Sequence, residues 1–518
     1  MTEKTQDNMS FDFSNDSEFS DLVDKPFLKK ELLYVIDNNG STDYSRNQVT
    51  FETVSLSNNG RWCDYRNAFI SIPLVVTLVR SAGDVTVDEA KELLDFKASN
   101  VNFIDSMIID YGNDNVIQQN ANIGAYCTFK QHTEWSLDDI NVNKHLGYRK
   151  DSSDWSFKER EGLRNNTVVG GRKFKNNSDG RELVLSNGNV KASGENCMEL
   201  VGTTNAVYYY DCIINLKDLL FFNKMPSVRG ANVKITLNLN QSSSLITYGS
   251  VDGAVIPVEV VNTLRGSSNF CLRTSANPPT AGATETISVK VVENKMSANT
   301  YSHVKSQCRL YVPVYTLSPK AEQQYLSKGL QTIIYNDLYV QHVKGVTESL
   351  QVLLTNSLSR MQRMIIVPLM SKYTITGFPT VDSPIESCVS TEPATCSPLF
   401  LSDFNVQLSG SNIYQQNIQY KYEHFLNEIN GKYGVNANME TGLCSSQINI
   451  DDYHSNFGYM VVDLSRRYSH DDNVPLSVQI SGKLNSPKAM DFLCFIEYNK
   501  TISVDLATGQ KVDAPSGK

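Results

Sequence analysis

A six-residue stretch occurs twice in this chain. Asn115-Val116-Ile117-Gln118-Gln119-Asn120 returns as Asn412-Ile413-Tyr414-Gln415-Gln416-Asn417. A glycine stands just upstream of each, Gly112 and Gly410. Aromatics follow each at one spacing, Tyr126 with Phe129 and Tyr422 with Phe425. Other pairs keep the same order. Tyr44 matches Tyr339, and Ile72-Pro73-Leu74 matches Val367-Pro368-Leu369. Further on, the stretch from Tyr210 to Leu216 matches Gly458 to Leu464, and Val233 to Asn240 matches Val478 to Asn485. Val291 to Lys295 matches Ile496 to Lys500. The order holds while the separation between partners shrinks. That pattern means two copies of one domain, the first with longer loops, because surface insertions add little closure entropy.

The runs around these pairs read as β-structure. Residues 49–54 alternate apolar with polar, 68–79 form a buried strand interrupted by Pro73, and 102–110 alternate again. Residues 207–222, 230–240 and 287–292 complete the first copy. In the second, which is expected to open near 307–315, the strands fall at 333–346, 350–354, 364–370, 401–408, 461–464, 476–481 and 492–498. A Thr508-Gly509 turn and a last short strand follow. Helices are expected at 87–96, 319–330 and 420–429. About eight short strands per copy, with long unequal loops, fit an all-β architecture. It comprises two tandem eight-stranded antiparallel jelly-roll sandwiches with long inserted loops and short helices. Residues 1–26 form an acidic arm, disordered alone, with Phe11, Phe13, Phe19 and Leu22 as docking anchors. The first sandwich spans 27–304, with a long insertion at 130–205, where apolar runs are short, and a second, irregular one at 240–284. The second spans 305–512, with a Ser-, Thr- and Pro-rich loop at 375–400, and 513–518 is a tail.

The formal charge of −9 disfavours binding along a nucleic-acid backbone. Ten cysteines are spread singly with no Cys-x-x-Cys pair, which argues against a zinc ribbon. The opening Met-Thr-Glu-Lys-Thr-Gln carries no apolar signal region. Reduced, mostly buried thiols of a cytosolic or nuclear product are therefore expected. A P-loop and a G-x-S-x-G elbow are absent. Seven histidines are scattered: His132, His145, His303, His342, His424, His454 and His470. Asp451-Asp452-Tyr453-His454 and His470-Asp471-Asp472 are the acidic–His clusters, and both read as solvated turns rather than metal or acid–base sites. Arg466-Arg467 reads as a structural ion-pair donor. Tyr208-Tyr209-Tyr210 and Phe221-Phe222 could be a ligand platform, but they sit in strand patterns and read as core. No catalytic, cofactor-binding or metal site is expected, so the function lies in surface and assembly.

Several short pieces carry a family resemblance. In the first copy they are Gln48 to Thr53, Ala68 to Leu74, Leu216-Lys217-Asp218-Leu219 with Phe221-Phe222, and Arg229-Gly230. In the second they are Leu310-Tyr311-Val312-Pro313, Phe425, the stretch from Val462 to Arg466, and Thr508-Gly509. In this order the chain resembles a double jelly-roll viral major capsid protein. The type is that of Polinton-like viruses, virophages and adintoviruses, and adenovirus hexon is a more distant relative. The resemblance implies a non-enzymatic structural protein of a double-stranded DNA virus. It implies homotrimers with a pseudo-hexameric outline, tiling an icosahedral shell. Its partners would be itself, penton and minor capsid or cement proteins, with host-receptor contact through outer loops and no sequence-specific nucleic-acid binding. It would be made in the host cytoplasm, assembled there or in the nucleus, and located in the virion. The insertions at 130–205 and 240–284 and the loop at 375–400 would form outward towers or trimer contacts, and the arm 1–26 would lie inside. One rival reading is a β-sandwich glycoside hydrolase, which needs a carboxylate pair in a cleft; the other is a tandem β-sandwich carbohydrate-binding or adhesion protein. The missing signal and the scarcity of Trp, at three, count against it.

Overall fold

The computed structural model describes residues 27–512 except 39–43, 45, 58–60, 84–93, 97–98, 113–115, 137–138, 140–141, 144–145, 147–182, 185–189, 192–197, 202–203, 252–253, 263–269, 273–279, 293–306, 355–357, 371–395, 398, 400, 432–447, 456, 468–474 and 487–488. The chain forms β1 (Phe27–Ile36), β2 (Gln48–Glu52), β3 (Phe69–Arg80), β4 (Ile104–Tyr111) and β5 (Val116–Ala121). Helix α1 (Ile123–Glu134) follows, then β6 (Asn205–Asn215) and β7 (Val233–Leu239). Next come β8 (Ser242–Val251), β9 (Ala254–Asn262), β10 (Thr284–Val291) and β11 (Arg309–Leu317). After α2 (Pro319–Leu326), the second half repeats the plan. Its elements are β12 (Leu330–Val346), β13 (Ser349–Leu354), β14 (Met361–Met370), β15 (Leu401–Leu408), β16 (Ser411–Asn412) and α3 (Tyr422–Gly431). The rest are α4 (Ile450–Ser455), β17 (Met460–Asp463), β18 (Val478–Leu484), β19 (Met490–Asp505) and β20 (Lys511–Val512).

Each half is a jelly-roll sandwich of two antiparallel sheets. In the second half the orders are β12-β19-β14-β17 and β13-β18-β15-β16. In the first half the order β2-β7-β4-β5 reproduces the latter, and β1-β11-β3-β6 reproduces the former. The period-2 pattern sets which side chains are buried: β7 hides Val233, Ile235 and Leu237 between its sheets. Gly112 and Gly410, flagged upstream of the repeated hexapeptide, both adopt positive φ, at 72° and 81°. A glycine in the left-handed region thus follows the preceding strand in both copies.

Pairing corrects the sequence reading at several points. Residues 309–317, expected to open the second copy, hydrogen-bond between β1 and β3 in the first sandwich. β10 runs along one edge of β3 as far as Leu74, and β11 resumes on that edge at Ser71. They share one edge of β3, with residues 293–306 between them outside the described ones, and the counterpart on β14 is the single strand β19. Val291 lies opposite Leu74 and Asp491 opposite Leu369, so the match of Val291 to Ile496 was slipped along the strand. Tyr44 lies in the connection between β1 and β2, not in a strand like Tyr339. The stretch 240–284 is not irregular: β8 and β9 form a hairpin that widens the sheet beyond β10. The first insertion cannot begin at 130, because α1 continues to Glu134. The helix expected at 87–96 ends as a strand, Leu94–Phe96, and its earlier residues lie outside the described ones. β1 escaped the sequence reading because Lys29, Lys30 and Glu31 interrupt its alternation.

One apolar cluster runs without a break from Val49 and Phe51 in the first sandwich to Phe492 and Val504 in the second. A satellite cluster of Trp62, Leu317, Ala321, Tyr325 and Leu506 closes the floor. Six described cysteines are buried and outside any disulfide, and burial pushes the Cys63 and Cys494 thiols up to about 12, which keeps them protonated and inert. Among the described residues no helix is long and apolar enough to cross a membrane.

Candidate assembly interface

The duplicated hexapeptide has two different environments. In the first copy it is β5, and Ile117, Gln118 and Asn120 are buried. The Gln118 amide donates to Asn336 O and to Asp337 Oδ1, each at 3.3 Å, and accepts from the Phe221 N–H. Tyr335 OH donates to Ile117 O at 2.7 Å. With its nitrogen turned toward Asp337, the Asn120 amide donates to the same carboxylate at 2.8 Å. Asp337 is also held by Lys500 and Tyr498. The first hexapeptide therefore docks on β12 of the second sandwich. In the second copy Gln415, Gln416 and Asn417 are exposed. Asn405 donates to Tyr414 O and Asn417 Oδ1, which fixes that loop to its own sandwich.

The helices that follow differ in the same sense. α1 is buried on nearly every side, because it lies between the two sandwiches. Phe129 packs edge-on to Tyr459, with ring centroids 5.1 Å apart, and His132 Nδ1 lies 3.1 Å from Tyr459 OH. Tyr126 OH donates to Glu497 on β19. Arg363 on β14 grips the same carboxylate through two donors, at 2.7 and 2.9 Å. Burial pushes the Glu497 carboxyl up, but the Arg363 charge more than offsets it and holds it down to about 2. Its counterpart α3 buries Phe425 and Ile429 and exposes Glu423 and Asn427, with Lys421 exposed just before it.

Two pieces singled out by sequence meet at the floor of this junction. Gly509 has φ +66°, and a Cβ there would sit 2.3 Å from Arg229 O. A Cβ on Gly230 would lie 2.7 Å from Thr508 O. Only glycine lets these backbones approach. Tyr111 OH donates to Gly509 O, and Arg229 pairs with Glu322 at 2.6 Å. Tyr325 OH donates to Ser227 O while its ring meets Trp62 edge-on.

The junction uses one outer sheet face and leaves its counterpart open. Through Glu497, β19 is buried along both faces. β11 alternates instead, with only every second residue buried through Val314. Beside it β1 exposes Leu28, Leu32 (54%), Tyr34 (51%) and Ile36. Tyr34, Tyr311 and Phe69 form a ladder, with centroids 5.8 and 4.9 Å apart, and Arg309 lies over Tyr34.

The other sequence candidates fall elsewhere. Asp451 to His454 lie in α4, where Tyr453 is core and its OH donates to Tyr459 O. His470, Asp471, Asp472, His145 and His303 lie outside the described residues. Arg466 and Arg467 fall in a 3₁₀ turn after β17. Phe221 and Phe222 are buried core, and Tyr210 OH donates to Asn100 Oδ1. Among the described residues, no group of three or more His, Cys, Asp or Glu could hold a metal ion. Sequence reasoning missed the Tyr126–Glu497–Arg363 cluster and the apolar face of β1. The only advance signal was the Tyr126–Phe129 spacing shared with Tyr422–Phe425.

No protein-family model and no curated protein sequence matches the chain. Its fold is similar to that of solved double jelly-roll capsid proteins. A chain in the cryo-EM structure of the Sputnik virophage aligns with a TM-score of 0.53 and 13% identity, over 95% of this chain and 89% of that one. The Faustovirus major capsid protein aligns with a TM-score of 0.44 and 11% identity, over 91% and 90%. The first likeness establishes the fold.

Proposed function

We propose that this protein is the major capsid protein of a double-stranded DNA virus, of the Polinton-like or virophage type. Homotrimers with a pseudo-hexameric outline tile its icosahedral shell. The observation that carries this reading is the pair of jelly rolls fused through one core, a fold shared along nearly the whole chain with a virophage particle. A block of two similar lobes, taken three times, gives six lobes and fills a near-hexagonal lattice. The chain is read as a non-enzymatic component of the virion. Its partners are further copies of itself, penton proteins and minor capsid proteins. The domain division proposed is an arm at 1–26, a first sandwich extended through β11, and a second sandwich from α2 onward.

Light scattering on the purified protein, followed by negative-stain imaging, tests this. A mass near three times 57.9 kDa with a hexagonal outline is expected. A stable monomer at micromolar concentration would overturn it. Deleting residues 1–26 should leave trimers soluble but impair shells, and an unchanged shell yield would remove the arm from assembly.

A further inference from the structure

A cleft opens beside α1 where the two sandwiches meet. The 3₁₀ turns Leu216–Asp218 and Leu220–Lys224 line it from the first sandwich, and Asn336 of β12 lines it from the second. Its volume is about 160 Å³. A cavity of roughly 150 Å³ holds one benzene ring. The walls suit such a guest, because Tyr126 and Leu220 are buried there and Trp135 is half-buried. The rim is basic, with Lys130, Lys217 and Lys224 all lining it. Lys130 is paired with Glu134. Lys217 and Lys224 are exposed and form no salt bridge among the described residues. The other carboxylate of the lining, Asp218, has its Oδ2 shielded on the inner wall. The cleft therefore selects an aromatic ring that carries carboxylates beside it.

The chain itself supplies that chemistry. Residues 1–26 hold seven acidic residues against two lysines. Within them Phe11-Asp12-Phe13 sets a carboxylate between two rings, and Asp16 follows close behind. We propose that this segment of the N-terminal arm docks in the cleft of its own chain. The Phe13 ring enters between Tyr126, Trp135 and Leu220, and Asp12 and Asp16 meet Lys217 and Lys224 at the rim.

The arm is long enough. Tyr34, Tyr311, Phe69 and Asn215 stand in one row across four neighbouring strands. Three strand spacings make that row about 14 Å wide, and Phe27 lies about 23 Å along β1 from Tyr34. Asp218 follows Asn215 by three residues, which places it within about 40 Å of Phe27. The stretch from Phe13 to Phe27 spans up to about 46 Å when extended. A tether of this kind holds the segment near the cleft at an effective concentration on the order of mM, which an untethered polyanion would have to match. Because the cleft takes residues from both sandwiches, the docked segment would present the rest of the arm from a fixed place at the junction. The contact lies within one chain and goes beyond the trimer reading. Its failure leaves that reading standing, and a monomeric parent leaves the contact untouched.

Photocrosslinking in the full-length chain tests this. With p-benzoylphenylalanine in place of Phe13, irradiation should give adducts that map by mass spectrometry to 123–135 or 216–224. They should run on a denaturing gel as a single chain of 57.9 kDa. Adducts elsewhere in the chain, no adducts, or a product of twice that mass would overturn the proposal. Reversing the rim with Lys217→Glu and Lys224→Glu should cut the adduct yield by about tenfold or more. Adding Asp12→Lys and Asp16→Lys to that variant should restore it. Both lysines are exposed, so circular dichroism and thermal melting should match the parent. If the double reversal fails to fold, Lys224→Glu with and without Asp12→Lys takes its place. A yield that the reversal leaves unchanged, or that the charge swap does not restore, would overturn the proposal. So would a rim variant that loses retention of a single-stranded oligonucleotide while its adducts persist, because the lysines would then serve a phosphate backbone.

Discussion

At the scale of single residues, the junction contains one buried charge pair, contributed by the second sandwich. Arg363 and Glu497 are almost wholly enclosed, and Tyr126 from the other sandwich completes the carboxylate's coordination. Removing one partner of a buried pair strands the other, typically at a cost of about 3–5 kcal/mol. Glu497→Gln should therefore lower the unfolding free energy by roughly that amount at pH 7, measured by urea titration. The carboxyl titrates near 2 in the fold against an ordinary 4.5. Its stabilisation is complete above pH 4.5 and is lost as pH falls toward 2, so the gap between parent and variant should close over that range. Asp218 behaves in the opposite sense. It lines a cleft of about 160 Å³ beside α1, its Oδ2 accepts no hydrogen bond, and burial raises its carboxyl to about 6 from 3.8. A raised carboxyl costs stability above pH 6, and the cost fades as pH falls from 6 toward 4. Asp218→Asn should raise the melting temperature at pH 8, by the equivalent of about 1–3 kcal/mol, and give no gain at pH 4. None of these partners was legible in the sequence. Tyr126 and Glu497 are far apart along the chain, and local patterning carries no information about which distant charge a tyrosine meets.

Elements were legible where their pattern is local. β15 and the turn at Thr508-Gly509 fall where alternation and turn chemistry put them. α2 starts at a Ser318-Pro319 cap, with the Ser318 hydroxyl accepting from the Ala321 N–H. β11 was misplaced for a physical reason: its alternation identifies a strand, but sheet membership is a long-range pairing. The described pairing on β3's edge stops at Val292 and resumes at Arg309, so proximity in sequence suggested the wrong sandwich. Two glycines of positive φ, Gly410 and Gly509, separate two effects of backbone conformation. Gly410 has open space where a Cβ would stand, whereas Gly509 has none. Gly410→Ala should cost about 1 kcal/mol through positive φ alone. Gly509→Ala must also push Arg229 and Ala231 aside, so it should lower the melting temperature several-fold more. Equal shifts for the two would show that the floor of the junction is not close-packed.

At the scale of the whole molecule, the duplication made two similar sandwiches readable, but not their union. Order-preserving pairs in sequence report a repeated fold, and they are silent on which face of one copy meets the other. The structure joins the copies through a continuous apolar cluster that includes Phe221 and Tyr335, centroids 5.0 Å apart across the junction. Tyr126 and Phe495 meet across it in the same way at 5.7 Å. Burying one such aromatic contributes roughly 1.5–3 kcal/mol. Several together, with the Arg363–Glu497 pair, couple the stability of one sandwich to the other. Domains joined by a small polar interface move and melt separately, whereas a large apolar one binds them into one unit. Dilute protein held below the concentration of assembly should therefore unfold in one calorimetric transition, not two. Phe221→Ala, which removes the ring from the shared core without touching a charge, should lower that transition by the equivalent of about 3–5 kcal/mol. It should do so for reporters in both sandwiches at once. Two resolved transitions in the parent, or a shift confined to the first sandwich, would mean that the lobes are independent bodies that merely touch.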